Sequence, residues 1–125
     1  MSKSTILIVD DCQFIRLVVT KMLAEEGYNV ITACDGEEAL SKLSENPALI
    51  LLDVNMPGLG GFGFCEELKN QKPEHADTPI VFLTSENSVA LGMLGKEMGG
   101  YLRKPVDRED LLAVIETHLS NKVGS

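Results

Sequence analysis

Four short runs rich in Ile, Val and Leu punctuate the chain at 6–9, 29–33, 48–52 and 80–83, each bounded by polar or turn residues. They are too short for helices and lack polar alternation, so they predict strands buried on both faces, as in a parallel sheet covered by helices. A fifth, shorter run, Tyr101 to Arg103, follows Gly99-Gly100 and stops at Lys104-Pro105. Between the runs the apolar period changes to three and four. From Cys12 to Glu26, residues Phe14, Ile15, Val18, Val19, Met22 and Leu23 form a helical stripe, and Gly27 stands where a C-terminal cap belongs. Asp35 can cap a helix from Gly36 to Ser44 with Ala39, Leu40 and Leu43 on one face. Phe64, Cys65 and Leu68 mark a helix from Gly61 to about Gln71, before Pro73 breaks the pattern. Leu111, Leu112, Ile115 and Leu119 mark a last helix, about Arg108 to Ser120, with Asp107 as its candidate cap. The remaining helical segment, between Glu86 and Met98, contains Gly92 and Gly95, each costing roughly 1 kcal/mol relative to Ala, and should be the least stable. Strand and helix thus alternate five times with no repeat or linker. The expected fold is α/β: a (βα)5 doubly wound, five-stranded parallel sheet, one domain over 1–125 with its core at about 4–121.

Composition narrows the function classes. Of 125 residues, 44% are hydrophobic, enough for one core and too many for a disordered acidic tail. Eleven Lys and Arg against 19 Asp and Glu give a net charge of −8, which repels nucleic acid rather than displacing its counterions. No apolar run approaches the roughly 18 residues of a membrane span, and 6–9 is too short for a signal-peptide core. The expectations are no nucleic acid, no membrane insertion and a cytoplasmic location. Cys12, Cys34 and Cys65 form no CxxC pair and fall in apolar-periodic segments, so they are expected to be reduced packing residues.

Candidate chemistry lies at the C-terminal strand ends, where doubly wound sheets gather functional groups. Those ends carry Asp10-Asp11, Asp53, Thr84 and Lys104, whereas the second strand ends in Cys34-Asp35, which an order of 2-1-3-4-5 places at the sheet edge. Three carboxylates converging at about 4 Å repel by roughly 1 kcal/mol per pair in bulk water and several times more when partly buried. Asp10, Asp11 and Asp53 with Lys104 sum to −2, which one divalent ion cancels, and hard oxygen ligands with open positions suit Mg2+.

With ILIVDD from Ile6, DVNMPG from Asp53, VFLTS from Val81 and YLRKPV from Tyr101, the chain resembles the receiver domain of bacterial two-component response regulators. It is most like the stand-alone chemotaxis type, and the likeness covers nearly the whole chain. The resemblance implies a flavodoxin-like sheet of order 2-1-3-4-5 and no output domain. It implies that Asp53 accepts a phosphoryl group from a sensor histidine kinase or phosphotransfer protein. Asp11 would bind Mg2+ directly and Asp10 through water, with Asp53 and the backbone carbonyl of Asn55 completing the protein ligands; Mn2+ could substitute. Lys104 and Thr84 would hold phosphoryl oxygens, Tyr101 would turn inward after Thr84, and Lys104-Pro105 would be a cis peptide. Asn55 and Glu86 stand where the family tunes autodephosphorylation. The implied protein is a monomer when unphosphorylated, acting on a separate effector, and not an enzyme beyond its own phosphorylation and dephosphorylation.

The sequence departs from the family pattern in its Thr84 to Lys104 spacing, slightly shorter than usual, and in Gly60, where an Asp is usual. The competing reading is a small Mg2+-dependent phosphohydrolase with an Asp nucleophile. Its usual DxD on one strand is absent, since Asp53-Val54-Asn55 lacks the second carboxylate.

Overall fold

The computed structural model describes residues 4–54, 60–84 and 100–124. Five strands, β1 (Thr5–Val9), β2 (Asn29–Ala33), β3 (Leu49–Asp53), β4 (Ile80–Thr84) and β5 (Tyr101–Arg103), pair in parallel in the order β2-β1-β3-β4-β5. Helices α1 (Gln13–Glu25), α2 (Gly36–Lys42), α3 (Gly60–Gln71) and α4 (Arg108–Gly124) flank them, with short 3-10 turns at Leu43–Glu45 and Pro73–His75. The helix expected between Glu86 and Met98 lies outside the described residues.

Burial explains the absence of alternation. Every residue of β3 and β4 is buried, because helices cover both faces of the central strands. Successive side chains still point to opposite faces. Leu7, Val9, Ile50, Leu52, Ile80 and Phe82 pack with Ala39 and Leu43 of the α2 region and Phe64, Cys65 and Leu68 of α3. Ile6, Ile8, Leu49, Leu51, Val81 and Leu83 pack with Val19 and Leu23 of α1 and Leu111 and Ile115 of α4. The edge strands β2 and β5 are only partly covered.

Local signals end the elements as their chemistry requires. Gly27, at φ 92°, is the left-handed residue of a Schellman motif. Its N–H donates to Ala24 O at 3.0 Å, while the Tyr28 N–H donates to Leu23 O at 3.1 Å. Asp35 Oδ1 accepts the Glu38 N–H at 2.8 Å, and Asp107 Oδ2 accepts the Asp110 N–H at 3.1 Å, so both expected caps form. Glu38 reaches back to the Cys34 N–H at 2.6 Å, a near relative of the capping box. Arg108 ties the start of α4 to the end of α1 through Glu25 and Glu26, each at 2.8 Å, in an exposed fork that adds little stability.

Three expectations need correction. Phe14 is 70% exposed, not part of the buried stripe. It sits about 100° around the helix from Ile15, which leads the row Ile15, Val19, Leu23 onto the sheet. Cys12 and Cys34 are exposed rather than packed, since each stands beyond its strand end outside the core; Cys65 alone of the three is buried, and all are free thiols. Finally, α4 continues to Gly124, past the expected Ser120.

Core and surface positions should separate cleanly in urea unfolding. Leu51→Ala, at a fully buried central-strand position, is expected to cost about 2–5 kcal/mol. Leu17→Ala, at a residue 61% exposed, should stay within about 0.5 kcal/mol of the parent.

Candidate functional site

Parallel pairing brings the candidate residues to one edge of the sheet. Asp10 follows β1, Asp53 and Thr84 are the last residues of β3 and β4, and Lys104 follows β5. Register aligns them: Asp53 pairs with Leu83, Thr84 pairs with Arg103, and the Lys104 N–H donates to Thr84 O at 2.8 Å. The adjoining Lys104-Pro105 peptide is cis. Cys34-Asp35 follows β2, the edge strand beside β1, at the opposite side of the sheet from Lys104.

Asp10 and Asp53 are almost wholly buried, as is Thr84, whereas Asp11 is exposed. One carboxylate oxygen from each of Asp10, Asp11 and Asp53 lies within 4.8 Å of the others. At about that separation each charged pair repels by roughly 1 kcal/mol in water and about 3–4 kcal/mol at an effective dielectric of 20. Lys104 Nζ opposes this from 2.9 Å to Asp10 Oδ2 and 3.3 Å to Asp53 Oδ1. Burial pulls the Lys104 ammonium down, but its contact with Asp10 and the charges of Asp10 and Asp53 outweigh that pull and leave it above the usual lysine range. Asp10 Oδ1 accepts the Cys12 N–H at 2.9 Å, which ties the cluster to the start of α1.

The donor set fits a hard divalent cation. Three carboxylate oxygens and one ammonium leave a formal charge of −2. The buried Asp10 Oδ2 receives no well-directed hydrogen bond from the described residues and relies on the ion pair with Lys104. The exposed Asp11 leaves one side open to water, which suits a small ion that keeps part of its hydration.

A family model for the response regulator receiver domain matches residues 6–116. The chain belongs to that family. Receiver domains are signalling modules rather than true enzymes. This one is 34% identical over 117 residues to Protein PilG of Pseudomonas aeruginosa, covering 91% of the chain and 86% of that protein. It is 41% identical over 122 residues to a probable transcriptional regulator, ycf27, of Porphyridium aerugineum, covering 95% of this chain but 49% of that one. The receiver thus spans about half the length of the ycf27 relatives it matches. Among solved structures, the Vibrio cholerae chemotaxis protein CheY4 superposes with a TM-score of 0.83 at 39% identity, over 93% of this chain and 98% of that one.

Five site residues read from the sequence, Asp10, Asp11, Asp53, Thr84 and Lys104, lie at this edge of the receiver's sheet. Tyr101 sits on the edge strand opposite Phe82, 37% exposed. Asn55 and Glu86 lie outside the described residues. Sequence reasoning missed Arg16, whose Nη1 donates to Asp10 O at 2.6 Å. The available signal was a guanidinium inside the otherwise apolar Phe14 to Val19 stretch, one helical turn beyond the aspartates.

Because Lys104 is held above its usual range, its stabilising contribution is fully present below pH 10 or so and is lost as pH rises through the folded-state value. In EDTA, Lys104→Met should unfold about 2 kcal/mol more easily than wild type at pH 7, between the values for exposed and fully buried pairs. The gap should narrow above the usual lysine range. Equal urea midpoints at pH 7 would contradict the pairing.

Proposed function

We propose that this receiver is a phosphorylation-activated switch. Asp53 takes a phosphoryl group from a phosphohistidine of a sensor histidine kinase or phosphotransfer protein, in a Mg2+-dependent reaction, and a separate effector protein reads the changed shape. The observation that carries this is the placement of Asp53. It is a buried carboxylate at a central strand end, with two more carboxylates around it and an ammonium 3.3 Å away.

Asp11 would ligate Mg2+ directly and Asp10 through water, with Asp53 and the Asn55 carbonyl as further ligands; Mn2+ could take its place. When bound, the ion neutralises charge on the phosphoryl oxygens. The chain's own groups do the rest. An Asp53 carboxylate oxygen forms the new bond to phosphorus as the bond to the histidine nitrogen breaks. The imidazole leaves with the electron pair and is protonated. Phosphoryl transfer needs positioning and charge neutralisation more than covalent assistance, so a carboxylate held beside an ammonium is well matched to it.

The product carries about one more negative charge and several acceptor oxygens. Lys104 pairs with one of these oxygens, and the Thr84 hydroxyl donates to another. Tyr101, now partly exposed on its edge strand, then turns inward beside Thr84. The switch is a shift between two packings of these elements, biased by the new charge. Water returns Asp53 to its free form at a rate tuned by Asn55 and Glu86. This reading places the unphosphorylated chain in the cytoplasm as a monomer. Its relatives PilG and CheY4, which it matches over most of their length, support a switch that serves other proteins.

Acetyl phosphate with Mg2+ tests the reading. The expected product is an acid-stable, hydroxylamine-labile phosphoprotein, formed by wild type, abolished by EDTA and absent from Asp53→Asn. Labelling that survives Asp53→Asn would sink it, and rapid turnover of simple phosphate esters would favour a phosphohydrolase instead.

A further inference from the structure

Apart from Oδ2, which has only its ion pair with Lys104, each polar group of Asp10 is hydrogen-bonded, and one of those bonds comes from a residue with no assigned role. Its N–H continues the sheet by donating to Ala33 O at 3.1 Å. Its carboxylate is divided between the Cys12 N–H at 2.9 Å and Lys104 Nζ at 2.9 Å. The remaining group is the main-chain carbonyl, in a residue with no exposed surface. A buried carbonyl without a partner is costly. Arg16 supplies the partner from α1, with Nη1 at 2.6 Å.

That carbonyl belongs to the peptide joining Asp10 to Asp11, and a peptide unit is planar. Fixing its oxygen fixes the plane from which the Asp11 Cα, and so the exposed carboxylate of the acidic cluster, projects. The aspartates on either side of this one peptide contribute two of the three clustered carboxylates.

We propose that Arg16 is a positioning residue of the acidic site, holding the Asp10–Asp11 peptide in the orientation that lets both carboxylates face one divalent cation. The inference rests on the reading of that site given above. Charge and geometry here make opposite demands. As a cation near a cation site, Arg16 weakens Mg2+ binding by repulsion; as the clamp on the peptide, it strengthens binding by preorganisation. Removing it therefore gives opposite signs for the two roles.

The test is a calorimetric titration of Mg2+ into wild type, Arg16→Met, which keeps the apolar stem, and Arg16→Lys, which keeps a charge and a donor. Urea unfolding in EDTA is measured alongside. Arg16→Met is expected to raise the Mg2+ Kd by about tenfold, in line with other groups that orient metal ligands, and Arg16→Lys to recover most of the loss. Unchanged or tighter Mg2+ binding by Arg16→Met would overturn the proposal, as would failure of Arg16→Lys to recover affinity. Should Arg16→Met not fold in EDTA, Arg16→Gln takes its place with the same expectation. A wild type that binds no Mg2+ removes the site reading together with this inference. Normal wild-type binding with an unaffected Arg16→Met removes the inference alone.

Discussion

Everything at the functional edge depends on holding like charges together. Two carboxylates are buried and a third stands beside them, their oxygens mutually within 4.8 Å, against a repulsion that no contact among the aspartates relieves. Two features oppose it. Lys104 supplies the near positive charge, and the backbone of a parallel sheet supplies the rigidity, since the aspartates sit at strand ends whose register is set by a core buried on both faces. The cluster is affordable because the hydrophobic free energy of two helical layers exceeds its cost. The excess of negative charge is also what makes the site responsive, because adding or removing one charge there directly changes the repulsion among the aspartates.

Connectivity decides which residues take part. In the order β2-β1-β3-β4-β5, the central ends carry the carboxylates, β4 ends in Thr84, and β5 delivers Lys104 from the edge. The opposite edge strand, β2, is instead followed by Asp35, which caps α2. One residue type thus serves as cap in one place and as site ligand in another, and only its position in the sheet tells the two apart. Arg16 makes the same point from the helical side. Its stem lies in an apolar stretch of α1, but its head is spent on a strand-end carbonyl.

Much of this was legible in the sequence. Uninterrupted Ile/Val/Leu runs are what strands look like when both faces are covered, and all five strands lie within a residue of their predicted bounds. The two strand-end residues Asp53 and Thr84 turn out to be inside the ladder, a shift too small for composition to reveal. What failed to read was the direction of side chains near element ends. Phe14 carries helical spacing yet faces solvent, because a stripe read by spacing alone has no fixed centre until the sheet it packs on is known. Cys12 and Cys34 look like small core residues by type but stand past the last covered position of their strands. The Arg16 to Asp10 bond was invisible for another reason: a side chain bonded to the main chain leaves no paired residue type to recognise.

The central claim, that a strained carboxylate cluster is relieved by a divalent cation, is tested most directly by urea unfolding of wild type and Asp11→Asn, with and without Mg2+. In EDTA, Asp11→Asn should be the more stable protein, because one repelling charge is gone. Mg2+ at about a hundred times its Kd should then stabilise wild type by about 2.7 kcal/mol and leave Asp11→Asn nearly unmoved. A wild type indifferent to Mg2+, or an Asp11→Asn protein that responds equally, would contradict the account.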